Sequence, residues 1–184
     1  MEDHLKNAQI ELQHILLELN SNRTHHMRHF IDSYFCYSNN FINKNGNAKW
    51  QNLLWTQKIS NEAKKVFYEY ETKLIKYKNE TTKRNSLKKE RDRMVTRDHT
   101  IPLRVVIKII ENEHKISPLS IEKLQAILDE NIFYTTITKE EDGLLRSKKL
   151  TSQMPQGYYD EQDHLYQKWN ARYIFAGINL ESID

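Results

Sequence analysis

RMVTRDHTIPLRVVIKII, residues 93 to 110, changes its periodicity at a histidine. Met94 to Thr100 carries the β-branched content of a short strand. Pro102 suits the first position of a helix, because its ring presets φ and its missing N–H is one that a helix start leaves unpaired. Leu103, Val106, Ile107 and Ile110 then give that helix a buried side. His99 falls between the two elements, where it is either a placed base or only the punctuation between a strand and a helix.

Downstream, Ser120 is an N-cap for IEKLQAILDEN, and IFYTTI at 132 to 137 has the strongest strand composition in the chain. Thr138 then caps KEEDGLLRSKKL, with Glu141 at the N3 position of a capping box. The order is strand, two helices, strand, helix. Upstream, Leu5, Ile10, Leu12, Ile15, Leu16 and Leu19 predict a first helix that the Asn20 to Asn22 cluster ends. Met27, Phe30, Ile31, Tyr34, Phe35 and Phe41 predict a second between Thr24 and about Ile42, and Trp50, Leu53, Leu54 and Trp55 a short third. The longest helix is expected from Ser60 to about Arg91, with a stripe of Ala63, Val66, Phe67, Tyr70, Leu74 and Tyr77 that fades before the basic residues begin.

With only 4 glycines and 3 prolines, this pattern predicts a mainly α fold of the α+β type. The expected architecture is a helical bundle with a long basic helix and a small two-stranded β element. A chain of 184 residues with 38% hydrophobic content can bury one core, so 1–184 is read as a single domain. Within it, 1–79 forms a helical part, 80–97 a basic arm, and 98–184 an α+β part that carries the candidate site. The first residues lack the basic start and continuous apolar run of a signal peptide, and no stretch approaches a membrane span. One cysteine, Cys36, fits a reducing compartment, and a cytoplasmic location is expected.

The net charge of +3 is small, but it is unevenly distributed. From Lys73 to Arg97 there are ten Lys or Arg against three acids. Such a segment is the footprint of a phosphate-backbone contact and equally of a solvated helix face. Lys83, Arg84, Lys88, Lys89, Arg91, Arg93 and Arg97 are the candidate nucleic-acid contacts.

The string RDHTIP, followed by a strand and then a helix, resembles the Asp-His-x-x-Pro element of HNH, or His-Me finger, nucleases. In that family two antiparallel strands and a helix form the site, a first-strand histidine activates water, and the helix holds a divalent metal. The resemblance implies His99 as base, Asp98 as an acidic metal neighbour, and a Mg²⁺ or Mn²⁺ cofactor. It covers about residues 93 to 149. This chain departs from the family in placing two helices between the strands and in lacking the second histidine on the helix. Glu140, Glu141 or Asp142 would therefore supply the remaining ligands, although KEED is also what capping and the helix dipole select.

His25 and His29 of HHMRH stand four apart, a spacing that holds zinc on a helix only with further ligands, so an exposed helix start is the plainer reading of His25, His26 and His29. The C-terminal segment carries Tyr158, Tyr159, Tyr166, Trp169, Tyr173 and Phe175, which either stack on unpaired bases or close the core. Arg172 among them is the candidate phosphate contact at the catalytic site. Three functions follow: a metal-dependent HNH-like nuclease serving restriction, phage defence or toxicity; a non-catalytic nucleic-acid binder; and a protein-binding adaptor or inhibitor. The long helix would also serve a homodimer.

Overall fold

A computed structural model describes residues 3–49 and 58–182. The short helix expected around Trp50 and Trp55 lies outside the described residues. Two compact units are present, and they interleave along the chain. One takes the described residues of 1–53 together with 101–132, and the other those of 54–100 together with 133–184. This division cuts across the linear partition at 79 and 97, because the residues between the two predicted strands fold with the N-terminal helices.

The first unit is helical. Helix α1 (Asp3–Asn20) packs against α2 (Met27–Ser38), and α5 (Leu103–Ile116) and α6 (Ile121–Asn131) complete it. Leu12, Ile15, Met27, Ile31, Val106 and Leu128 are all fully buried, each contributing roughly 1.5–3 kcal/mol relative to exposure. The Tyr34 hydroxyl donates to the Asp129 carboxylate at 2.6 Å, tying α2 to α6. Ser120 caps α6 by accepting from the Lys123 N–H, as its position predicts, while Pro102 sits one residue ahead of α5 rather than inside it.

The second unit is a four-stranded sheet with helices. Its strands are β1 (Lys58–Ser60), β2 (Val95–His99), β3 (Tyr134–Thr138) and β4 (Leu180–Ser182), in the order β2-β3-β1-β4. The β1–β3 pair is parallel, whereas β2–β3 and β1–β4 are antiparallel. The two predicted strands do pair, Val95 opposite Thr138 and His99 opposite Tyr134, but as half of a larger mixed sheet. The long helix expected from Ser60 to Arg91 is two helices, α3 (Asn61–Lys76) and α4 (Thr81–Met94). At the break the Arg84 guanidinium, from the second helix, donates to the Leu74 carbonyl at 3.1 Å and satisfies an acceptor that the end of α3 leaves open. The continuous long helix on which the expected homodimer was based is therefore not formed. Helices α7 (Lys139–Ser147) and α8 (Ala171–Ala176) follow β3. Gly177 ends α8 at φ +77°, a left-handed backbone that a side chain would strain.

Candidate functional site

Strand alternation decides how the candidate residues relate. Neighbouring residues in a strand point to opposite faces, and cross-strand partners share one. Asp98 therefore shares a face with Thr96, Thr135 and Ile137, while His99 shares the other with Val95, Arg97 and Tyr134. Packing confirms the two faces. Ile137 buries against Leu145 of α7, Leu150 and Tyr173 of α8, whereas Val95 buries against Ile59, Ala63, Val66 and Phe67 on the α3 side.

On the first face the structure forms a closed polar cluster. Arg172 has no exposed surface. Its Nε donates to the Thr100 carbonyl at 3.1 Å and its Nη1 to the Leu150 carbonyl at 2.6 Å. Nη2 donates to the Asp98 Oδ2 at 2.5 Å and also to the His99 carbonyl. The Tyr173 hydroxyl donates to the same Asp98 oxygen at 2.6 Å. A guanidinium with four of its five N–H groups committed and no exposed surface is closed to an incoming phosphate, which corrects the expectation that Arg172 contacts one. It fastens the end of β2, and the segment after α7, onto α8.

Burial, reinforced by the Asp98 carboxylate, pushes the Tyr173 phenol well above its ordinary 10.0. The folded state thus holds this proton more tightly than the unfolded chain does. Stability from this group is complete below about pH 10 and declines as pH rises beyond it. Denaturation midpoints should accordingly fall as pH is raised from about 10 toward 11.5, and Tyr173→Phe should fall less steeply than wild type over that window.

The carboxylates proposed as metal ligands do not converge on His99. Thr138 pairs with Val95, so α7 starts at the end of the sheet opposite His99, on the Asp98 side. Thr138 caps α7 by accepting from the Glu141 N–H at 3.1 Å, and Glu141 returns the bond by accepting from the Thr138 N–H at 2.8 Å, the capping box expected from the sequence. Glu141 also accepts from the Ser60 hydroxyl at 2.5 Å, and Ser60 in turn caps α3 by accepting from the Ala63 N–H. One carboxylate therefore joins the starts of two helices, a link across 81 residues of sequence. Asp142 pairs with Arg146, and Glu140 is exposed. Asp98 is held by Arg172 and Tyr173 on the face away from His99. These residues do not fit a Mg²⁺ or Mn²⁺ ion at His99. No group of three or more His, Cys, Asp and Glu suited to a metal occurs among the described residues. In HHMRH, His25 sits in a 3₁₀ turn ahead of the helix that carries His29, and His26 contacts Glu18 at 3.2 Å.

His99 itself is half-buried, its ring 4.6 Å from that of Tyr134. It shares its strand face with exposed Arg97, and α4 leads directly into that strand. In α4 only Leu87 is buried. Arg84 and Arg91 are half-buried and structural: Arg84 caps α3, and Arg91 lies over the Phe67 ring at 5.0 Å while pairing with Asp92. Lys83, Lys88, Lys89 and Arg93 are exposed. Lys88, Lys89 and Arg93 have no carboxylate partner among the described residues. Helix cations elsewhere in this unit behave differently: Lys65 pairs with Glu62, Lys73 with Glu69, Lys64 with Glu181 and Arg146 with Asp142.

The C-terminal aromatics are divided. Tyr173 is buried, Trp169 lies under the Lys58 ammonium at 4.0 Å, and Tyr159 and Phe175 are exposed. No helix of the described residues is long and apolar enough to cross a membrane. No family model, curated protein or solved structure matches the chain.

Proposed function

We propose that this chain binds nucleic acid through the phosphate backbone, with α4 and the start of β2 as the contact face. The observation that carries the reading is the set of exposed cations on α4 that lack carboxylate partners, in a unit whose other helix cations are mostly paired. A solvated helix stabilised by its own ion pairs would join cations to acids three or four residues away; Asp92 and Glu90 stand at those spacings from Lys88, Lys89 and Arg93, yet Asp92 pairs with Arg91. Lys88, Lys89 and Arg93 instead leave positive charge available for phosphates, on the helix that leads into the strand carrying His99. Replacing Lys88 and Lys89 by glutamine should weaken duplex and single-strand binding. On duplex DNA it should also make the slope of log affinity against log salt shallower by about 0.9 for each cation that touches phosphate, or about 1.8 together, and on single strands by about 0.7 each. Anisotropy titrations at several salt concentrations read this directly, and an unchanged slope would remove α4 from the interface.

His99, on the strand face of Arg97, gives the same protein a residue for proton transfer beside a bound strand. Incubating plasmid, linear duplex, single-stranded DNA and RNA with Mg²⁺, Mn²⁺ or EDTA tests whether binding is accompanied by cleavage. Binding without cleavage is the expected result. Metal-dependent cutting that a folded His99→Ala variant loses would replace the binding-only reading with an HNH-like nuclease.

A further inference from the structure

The first unit holds a groove of about 570 Å³ between the start of α2 and one side of α5. Arg104, Lys108, Glu111 and Lys115 line it from α5, and Arg28 lines it from α2. On α5 these positions run at i, i+4, i+7 and i+11, so they share one helix face. Four cations thus converge on one concavity against a single carboxylate, Glu111. Arg28 reaches Asp32 only at 3.9 Å, and Arg104, Lys108 and Lys115 have no ion pair among the described residues. Like charges at i and i+4 destabilise a helix unless an anion sits between them. A concave surface also focuses their combined potential on whatever enters.

We infer that this groove binds a nucleoside diphosphate or triphosphate. Its volume lies within the roughly 300–1,000 Å³ of small-molecule sites. The cations match a chain of two or three phosphates, and guanidinium groups such as those of Arg28 and Arg104 bind phosphate oxygens in pairs. Half-buried Ile107 and the edge of buried Leu103 also line the groove and offer a base an apolar contact. Glu111 is then an acceptor for sugar hydroxyls or a base amino group, which accounts for one acid among the cations. The site is distinct from α4 and does not depend on the function proposed for it.

Calorimetric titration of the full chain with ATP, ADP and tripolyphosphate tests the assignment. ATP should bind more tightly than tripolyphosphate, because the apolar surface holds only the nucleoside. Arg104→Glu with Lys108→Glu, at exposed positions, should weaken ATP by at least about tenfold while circular dichroism stays native. The α4 variant Lys88→Gln with Lys89→Gln should leave ATP affinity within about twofold. Glu111→Gln should change the preference of ATP over tripolyphosphate, which general electrostatics would not. The inference is overturned if neither ATP nor ADP binds at millimolar concentration, or if the α4 variant loses ATP binding as fully as the α5 variant. It is equally overturned if a ten-nucleotide single strand displaces ATP and is itself lost in the α5 variant, because the groove would then hold a nucleic-acid strand.

Discussion

Replacing Arg172 by methionine is expected to lower the stability of the unit that contains it by about 3–5 kcal/mol, the cost of breaking a buried charge pair from one side. Methionine approximates the volume but leaves the Thr100, Leu150 and His99 carbonyls without their donors and strands the Asp98 carboxylate near the interior. Arg172→Lys should recover little, since one ammonium on a flexible stem cannot reproduce a fork that serves four acceptors in three directions. Urea unfolding followed by circular dichroism measures the loss. The experiment also separates two roles for the same residue. A phosphate-binding arginine would, when replaced, reduce nucleic-acid affinity in a protein of unchanged stability. The buried guanidinium predicts the reverse: a large loss of stability, and near-native affinity in whatever fraction stays folded.

Glu141→Ala should cost about 2–3 kcal/mol, because the Ser60 hydroxyl and the Thr138 N–H lose a charged acceptor together. Ser60 is fully buried, so no solvent replaces the missing bond. The damage should reach both α3 and α7, whose first turns the carboxylate joins, whereas loss of an ordinary cap affects only its own helix. Glu141→Gln keeps an acceptor oxygen for Thr138 and should lose less, about 1 kcal/mol. Denaturation with Mg²⁺ and with EDTA distinguishes this from metal binding. The wild-type midpoint should be the same in both, and a midpoint that rises with Mg²⁺ only while Glu141 is present would reassign the carboxylate to a cation.

Local signals in the sequence identified what local physics determines. The Thr138–Glu141 capping box and the Ser120 cap form as their spacing predicts, and the β-branched runs at 94 and 132 become paired strands. Three-residue strands such as Lys58–Ser60 and Leu180–Ser182 are too short for alternation to show, so the sheet reads from sequence as half its true width. The break between α3 and α4 contains neither glycine nor proline, and the contact made there, Arg84 on the Leu74 carbonyl, spans ten residues. Arg172 gave the strongest mismatch. A cation among aromatics looks like a phosphate or base contact until the carbonyls around it are known, and those come from segments up to 73 residues away. In α5 the apolar side dominates the sequence pattern, and the cations of its polar face stand out only once the groove they line is seen.

Because each unit takes its residues from two separate stretches, no single cut of the chain yields either one intact. During synthesis the helical unit cannot close until α6 has emerged, and β3 cannot find β2 before then either, since the two strands flank that same insertion. The sheet receives its last strand only with Leu180–Ser182. Pairing β2 with β3 closes the loop of residues 100–133, and helix formed within that loop shortens the coil left to close. Stopped-flow circular dichroism should accordingly find refolding slowed by variants that destabilise α5 or α6.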